Sequence, residues 1–119
     1  MEYIRKIIIH GDYFADFYDK QPLSVQRKIN YVLTLVCTKE QIPSKFFKSI
    51  ESVAGLFEIR IEIEGNIYRI FCCFDEGKLI VLFNGFQKKS QKTPKLEIKK
   101  AEKIMISYFQ SKRKERNHE

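Results

Sequence analysis

An α+β domain of order βααβββα, with helices packed on one antiparallel-rich sheet, is predicted by three observations. A β-branched stretch opens the chain, one apolar stripe at helical spacing spans Val25 to Val36, and three consecutive strand-like stretches lie between Phe57 and Phe83. The 119 residues, 44% hydrophobic and 31% charged, make one domain with enough apolar material for a single core.

Tyr3 to Ile9 reads as the first strand, ended by Gly11, with Asp12 as a helix cap. Phe14, Phe17 and Tyr18 fall at i, i+3 and i+4, so a short helix should run to about Lys20 and stop before Pro22. Pro22 starts the next helix, where Val25, Ile29, Val32, Leu33 and Val36 form one stripe and Arg27, Lys28 and Asn30 turn away. The two helices form a hairpin, and residues 39–54, broken by Pro43, read as irregular. Phe57, Ile59, Ile61 and Ile63 then alternate with Glu58, Arg60, Glu62 and Glu64, giving one apolar and one charged face. Gly65-Asn66 reads as a tight turn, Ile67 to Phe74 as the return strand and Asp75-Glu76-Gly77 as a second turn. Leu79 to Phe83 is unbroken apolar, as expected of a central strand covered on both faces. After a loop from Asn84 to Thr93, Pro94 suits a first helical position with Thr93 as its cap. Ile98, Ala101, Ile104, Met105 and Tyr108 trace the final helix, and a frayed basic tail is expected from about residue 110.

Charge is unevenly spread. Residues 1–85 balance eleven basic side chains against eleven acidic ones, and from Phe86 onward eleven basic face four acidic, which is the whole net charge of +7. Clustered cations gain by releasing the counterions condensed along nucleic acid, so a polyanionic partner is one reading and a solvated helix face the other. No apolar run approaches the roughly 18–20 residues that cross a bilayer, and no signal peptide is evident, so neither a membrane protein nor a secreted precursor is expected. Three cysteines, two of them adjacent at Cys72 and Cys73, argue against a disulfide framework or a zinc site and for a reducing cytoplasm.

A two-residue turn at Gly65-Asn66 would set Glu62 opposite Arg69, Glu58 opposite Cys73 and Arg60 opposite Phe71. Arg60 and Arg69 would then be diagonal neighbours on one face, able to reach one phosphate. The alternative is an ion-pair ladder with Glu58 or Glu62. Lys88, Lys89 and Lys92 follow in the loop, with Lys95, Lys99 and Lys103 on the first turns of the helix, so a concave cationic site is expected: arginine floor, lysine rim and backbone donors at the helix N-terminus near Thr93. His10 and His118 have no visible catalytic partner, and no glycine-rich phosphate loop, metal-spaced cluster or nucleophile elbow is present. Cys72 and Cys73 read as small strand hydrophobes. Phe86 reads as core or, alternatively, as a base-stacking ring.

Gly55-Leu56-Phe57-Glu58-Ile59-Arg60, then Tyr68-Arg69-Ile70, then Gly85-Phe86-Gln87-Lys88-Lys89-Ser90-Gln91-Lys92-Thr93-Pro94 with Glu97 and Ala101 resemble the RelE/ParE toxin superfamily, and within it the HigB-like, phage-related branch. The resemblance covers residues 55–101 in order, and the β-α-α beginning suits it. It implies a toxin of a type II toxin-antitoxin pair, a cytoplasmic, ribosome-dependent endoribonuclease that cleaves messenger RNA and is neutralised by an antitoxin, often of helix-turn-helix type. Carried over by motif, the functional positions are Arg60, Arg69, Lys88 and Lys89; the charge pattern itself offers Lys92, Lys95 and Lys99 as further RNA contacts, and no metal or other cofactor is expected.

The chemistry expected is attack of a ribose 2′-oxygen on its adjacent phosphate, with Arg60 and Arg69 stabilising the added charge and Lys88 or Lys89 protonating the departing 5′-oxygen. The proton acceptor is not evident: Glu58 and Glu62 are the candidates, weakened by ion pairing with the arginines, and ribosomal RNA could supply part of the site. Alanine at Arg69 is expected to abolish growth arrest without unfolding the chain. A ParE-like gyrase inhibitor, and a non-catalytic nucleic-acid or antitoxin-binding module, stay open as alternatives.

Overall fold

Strand alternation and two helical stripes sort the side chains into a layer of sheet between two layers of helix. The computed structural model describes residues 2–89 and 92–117. Its elements are β1 (Lys6–Ile9), α1 (Tyr13–Tyr18), α2 (Leu23–Thr38), β2 (Phe47–Ser49), β3 (Leu56–Ile63), β4 (Asn66–Asp75), β5 (Leu79–Lys88) and α3 (Lys95–Asn117). The sheet order is β1-β5-β4-β3-β2; β1 pairs parallel with β5 and the other neighbours are antiparallel. This is the α+β class the patterning predicts.

On one face Ile59, Ile61, Ile70, Ile80 and Leu82 of the sheet pack with Phe14 and Phe17 of α1 and Val25, Ile29, Val32 and Val36 of α2. On the other, Leu56, Phe71, Val81 and Phe83 pack with Ala101, Ile104 and Tyr108 of α3. Ile80 to Phe83 are fully buried, as an unbroken apolar strand between two helical layers must be. Each such side chain contributes roughly 1.5–3 kcal/mol by leaving water.

Pro22 sits at the cap of α2 and its carbonyl accepts from the Val25 and Gln26 N–H groups. The other end of α2 is tied by Arg5, whose guanidinium donates to the carbonyls of Val36, Lys39 and Glu40 at 3.0, 2.6 and 2.6 Å. Because the Ile4 and Arg5 N–H groups are also spent on the Cys37 carbonyl, β1 starts at Lys6 and not at Tyr3. The stretch expected to be irregular contains β2, a three-residue edge strand paired with β3, where Phe47 stacks on Phe57. Three residues are too few to show a two-residue period, so the strand exists through its partner.

At α3, Pro94 takes the cap position, its carbonyl accepting from the Glu97 and Ile98 N–H groups, and helix begins at Lys95. Thr93 is not its cap: its hydroxyl donates to Glu58 at 3.5 Å. Helix continues through the basic tail to Asn117, held by Lys112 and Arg116, which bond Asp75 and Glu76 in the β4–β5 turn. His118, Ser90 and Gln91 lie outside the described residues.

Candidate active site

The β3–β4 turn sets the geometry, and it differs from the expected one. Glu64 and Gly65 are the two central residues, with φ of 51° and 80°. Two consecutive left-handed residues are what the mirror-image type I′ turn of a twisted hairpin requires, so the turn sits one residue earlier than Gly65-Asn66. Ile63 pairs Asn66, Glu62 pairs Ile67, Glu58 pairs Phe71, and Arg60 stands directly opposite Arg69. The two arginines share a face as expected, as direct and not diagonal partners.

Facing like charges repel unless something lies between them. Glu58, two residues back along β3, supplies it: its Oε1 lies 3.8 Å from Arg60 Nε and its Oε2 3.7 Å from Arg69 Nε. Among the described residues neither Nε finds a hydrogen-bond partner, although both are buried. Arg69 is 1% exposed and Glu58 6%, whereas the Arg60 side chain keeps 30% of its surface. The expected arginine floor is therefore split: Arg60 is partly open to solvent, and Arg69 beside it is buried. Arg69 also donates from NH1 to the Tyr68 carbonyl at 3.1 Å. Burial, with Arg60 adding to it and Glu58 and Glu62 opposing, lowers the Arg69 pKa from its ordinary value.

A bulge brings Lys88 to the same face. Ile70 pairs Gly85 while Cys72 pairs Leu82, so Phe83 and Asn84 of β5 together oppose Phe71 of β4. The extra residue reverses the alternation, so Phe86 and Lys88, not Gly85 and Gln87, face α3. Phe86 stacks on Phe71 at 5.6 Å and, half-buried, packs against the α3-side core. Lys88 is on the strand, paired with Ile67, and not in a loop as the sequence suggested. Across the sheet the rows read Arg60–Arg69–Phe86 and Glu62–Ile67–Lys88. Burial and then Arg69 hold the Lys88 ammonium below its usual pKa; Arg60 adds to this, and Glu58 and Glu62 oppose it.

Asn84 ties the bulge to the helix start, donating to Glu97 Oε2 at 3.2 Å, while its own buried Oδ1 has no partner among the described residues. With Thr93 on Glu58, this fixes the beginning of α3 over the charged row. Lys89, Lys92, Lys95 and Lys99 are exposed around it. Glu62 is exposed, in contrast to Glu58, which two guanidiniums and the Thr93 hydroxyl enclose. Nothing in the sequence distinguished the two carboxylates, because both occupy the same face of one strand.

The remaining reactive groups are packed elsewhere. His10 meets the edge of Tyr108 at 5.3 Å, and the buried Tyr108 hydroxyl donates to Asp75 Oδ2 at 2.6 Å, in a cluster at the β4–β5 turn. Burial pushes the Cys72 thiol up and the Cys73 thiol up to about 12, so neither is a thiolate at neutral pH. Among the described residues no three His, Cys, Asp or Glu side chains are grouped to hold a metal, and no helix is long and apolar enough to cross a membrane.

Residues 16–106 match the family model described as Phage derived protein Gp49-like (DUF891). Among curated proteins, none matches the chain.

Proposed function

The chain belongs to the Gp49-like, phage-derived family, a RelE-like family of toxin type, and from that premise we propose that it is the toxin of a type II toxin-antitoxin pair. It acts as a ribosome-dependent messenger-RNA endoribonuclease and is neutralised by a cognate antitoxin of helix-turn-helix type. The observation behind this reading is the convergence of Arg60 and Lys88 on one sheet face, backed by the buried Arg69 and flanked by an exposed carboxylate at Glu62.

The 2′-oxygen of the upstream ribose attacks the adjacent phosphorus, forming a 2′,3′-cyclic phosphate and releasing the 5′-oxygen of the next nucleotide. Arg60 binds the phosphate oxygens and takes up the charge that develops in the transition state. Lys88, made more acidic by burial and by Arg69, gives its proton to the departing 5′-oxygen. Glu62, reachable from solvent, accepts the 2′-hydroxyl proton; Glu58 is enclosed and does not. Arg69 touches no substrate: it is a positioning residue that orients Glu58 and thereby Arg60. Lys89, Lys92, Lys95 and Lys99 hold the flanking phosphates, which makes binding steeply salt-dependent.

Alanine at Arg69, the change the sequence favours as a test, takes away one of the two guanidiniums beside the buried Glu58 and opens a cavity, a cost of about 3–5 kcal/mol. It does not separate folding from function. Arg60→Ala is the cleaner variant because its side chain is partly exposed. On expression of the wild-type chain, translated messages should carry codon-phased breaks; Arg60→Ala and Lys88→Ala should each lower cleavage by 10²-fold or more, roughly the contribution of one positioned donor. Undiminished cleavage in Arg60→Ala, or a supercoiling defect with intact messages, would overturn the reading.

A further inference from the structure

A pocket of about 260 Å³ lies beside the charged row, between the β2–β3 turn and the first turns of α3. Val53 and Ile98 are its apolar residues, and Ser52, Lys95, Lys99 and Glu102 complete it. Both its walls lead straight into the site. Val53 is five residues before Glu58, and Leu56 between them is fully buried under α3. Lys95 is two residues after Thr93, whose hydroxyl donates to Glu58. Val53 is 8% exposed and Ile98 half-buried, so the floor is firm, and Glu102 has no side-chain hydrogen bond or ion pair among the described residues.

We propose that this pocket is a subsite for a single nucleobase carrying an exocyclic amino group, next to the phosphate bound at Arg60. The proposal rests on the RNA-cleavage reading above. The apolar floor takes the face of a base, as apolar and aromatic surfaces do in single-stranded RNA recognition. Lys95 and Lys99, one helical turn apart, take the phosphate of that nucleotide. The Glu102 carboxylate can only accept hydrogen bonds, so it suits the amino groups of cytosine, adenine or guanine and rejects the carbonyl that uracil presents instead. The volume has room for one base, as an unpaired nucleotide of a single-stranded message would present it.

The test is an NMR titration of the isotopically labelled chain with 5′-CMP, 5′-AMP and 5′-UMP. CMP and AMP should shift the backbone amides of Ser52, Val53, Ile98 and Glu102 and bind about fivefold more tightly than UMP, the size of one net hydrogen bond. Glu102→Gln, whose amide both donates and accepts, should bring that ratio close to one, and Ser52→Trp at the exposed rim should abolish the shifts while the rest of the spectrum is unchanged. Equal binding of CMP and UMP, or shifts that avoid these residues, would refute the subsite. Message cleavage and its loss in Arg60→Ala are read separately, so the subsite can fail while the nuclease reading stands, and the reverse.

Discussion

Glu58 places one negative charge between two guanidiniums without taking a hydrogen bond from either Nε. Two cations with one shared counter-charge leave an excess of positive field, and Lys88 is the group that registers it. Its acidity is a direct readout of the site that needs no substrate. Because burial and the arginines lower its pKa while Glu58 opposes them, Lys88 should titrate below an ordinary lysine in ¹³Cε NMR. Glu58→Gln should move it lower still, and Arg60→Gln should move it back up. An unshifted Lys88 in all three proteins would remove it as the proton donor. That Arg60 and Arg69 share a face was legible from alternation alone. Their depth was not, since an arginine facing a helix and an arginine facing water have the same neighbours in sequence.

At the scale of elements, the bulge in β5 decides which residues reach the site. Had β5 kept strict alternation from Val81 and Phe83, Gln87 would face α3 and Lys88 would face α1. Gly85 is part of the same device. A Cβ there would lie 2.5–2.9 Å from the Phe17 ring of α1, so the ring can pack against β5 only because the position has no side chain. Gly85→Ala should lower thermal stability by about 1–3 kcal/mol through this overpacking. Phe17→Leu should recover part of the loss; recovery would show that the clash, and not the local backbone, is responsible. The Gly85-Phe86 pair stands out in the sequence, but its structural reason lies on another element. The turn at Glu64-Gly65 is a similar case: Gly65 marks a turn in the sequence, and the register depends on which neighbour joins it in the left-handed region.

For the whole molecule, the long α3 is held at both ends. Asn84 and Thr93 secure its start, and Tyr108, Lys112 and Arg116 bind Asp75 and Glu76 at the other end. Burial pushes the Asp75 carboxyl up, and hydrogen bonds from Lys112 and Tyr108 outweigh it, so the group sits below its ordinary value. A carboxyl with a depressed folded pKa stabilises the fold above its unfolded value, near 3.9, and that contribution is lost as pH falls through the folded value. Asp75→Asn should therefore melt earlier than the wild type at pH 7, with the difference closing below about pH 4. A difference constant with pH would assign the effect to packing instead.

The sequence by itself determined the α+β class, the stripes of α2 and α3, the buried central strand, the shared face of the two arginines and the concentration of charge beyond Phe86. These are local periodicities and compositions, set within a few residues of one another. Only the tertiary structure decided the register of the hairpin, the bulge that turns Lys88 inward, the burial of Arg69 beside a partly exposed Arg60 and the separation of Glu58 from Glu62. Each of those depends on which distant segment packs against a strand, because desolvation and strand pairing act between groups that are close in space and far apart along the chain.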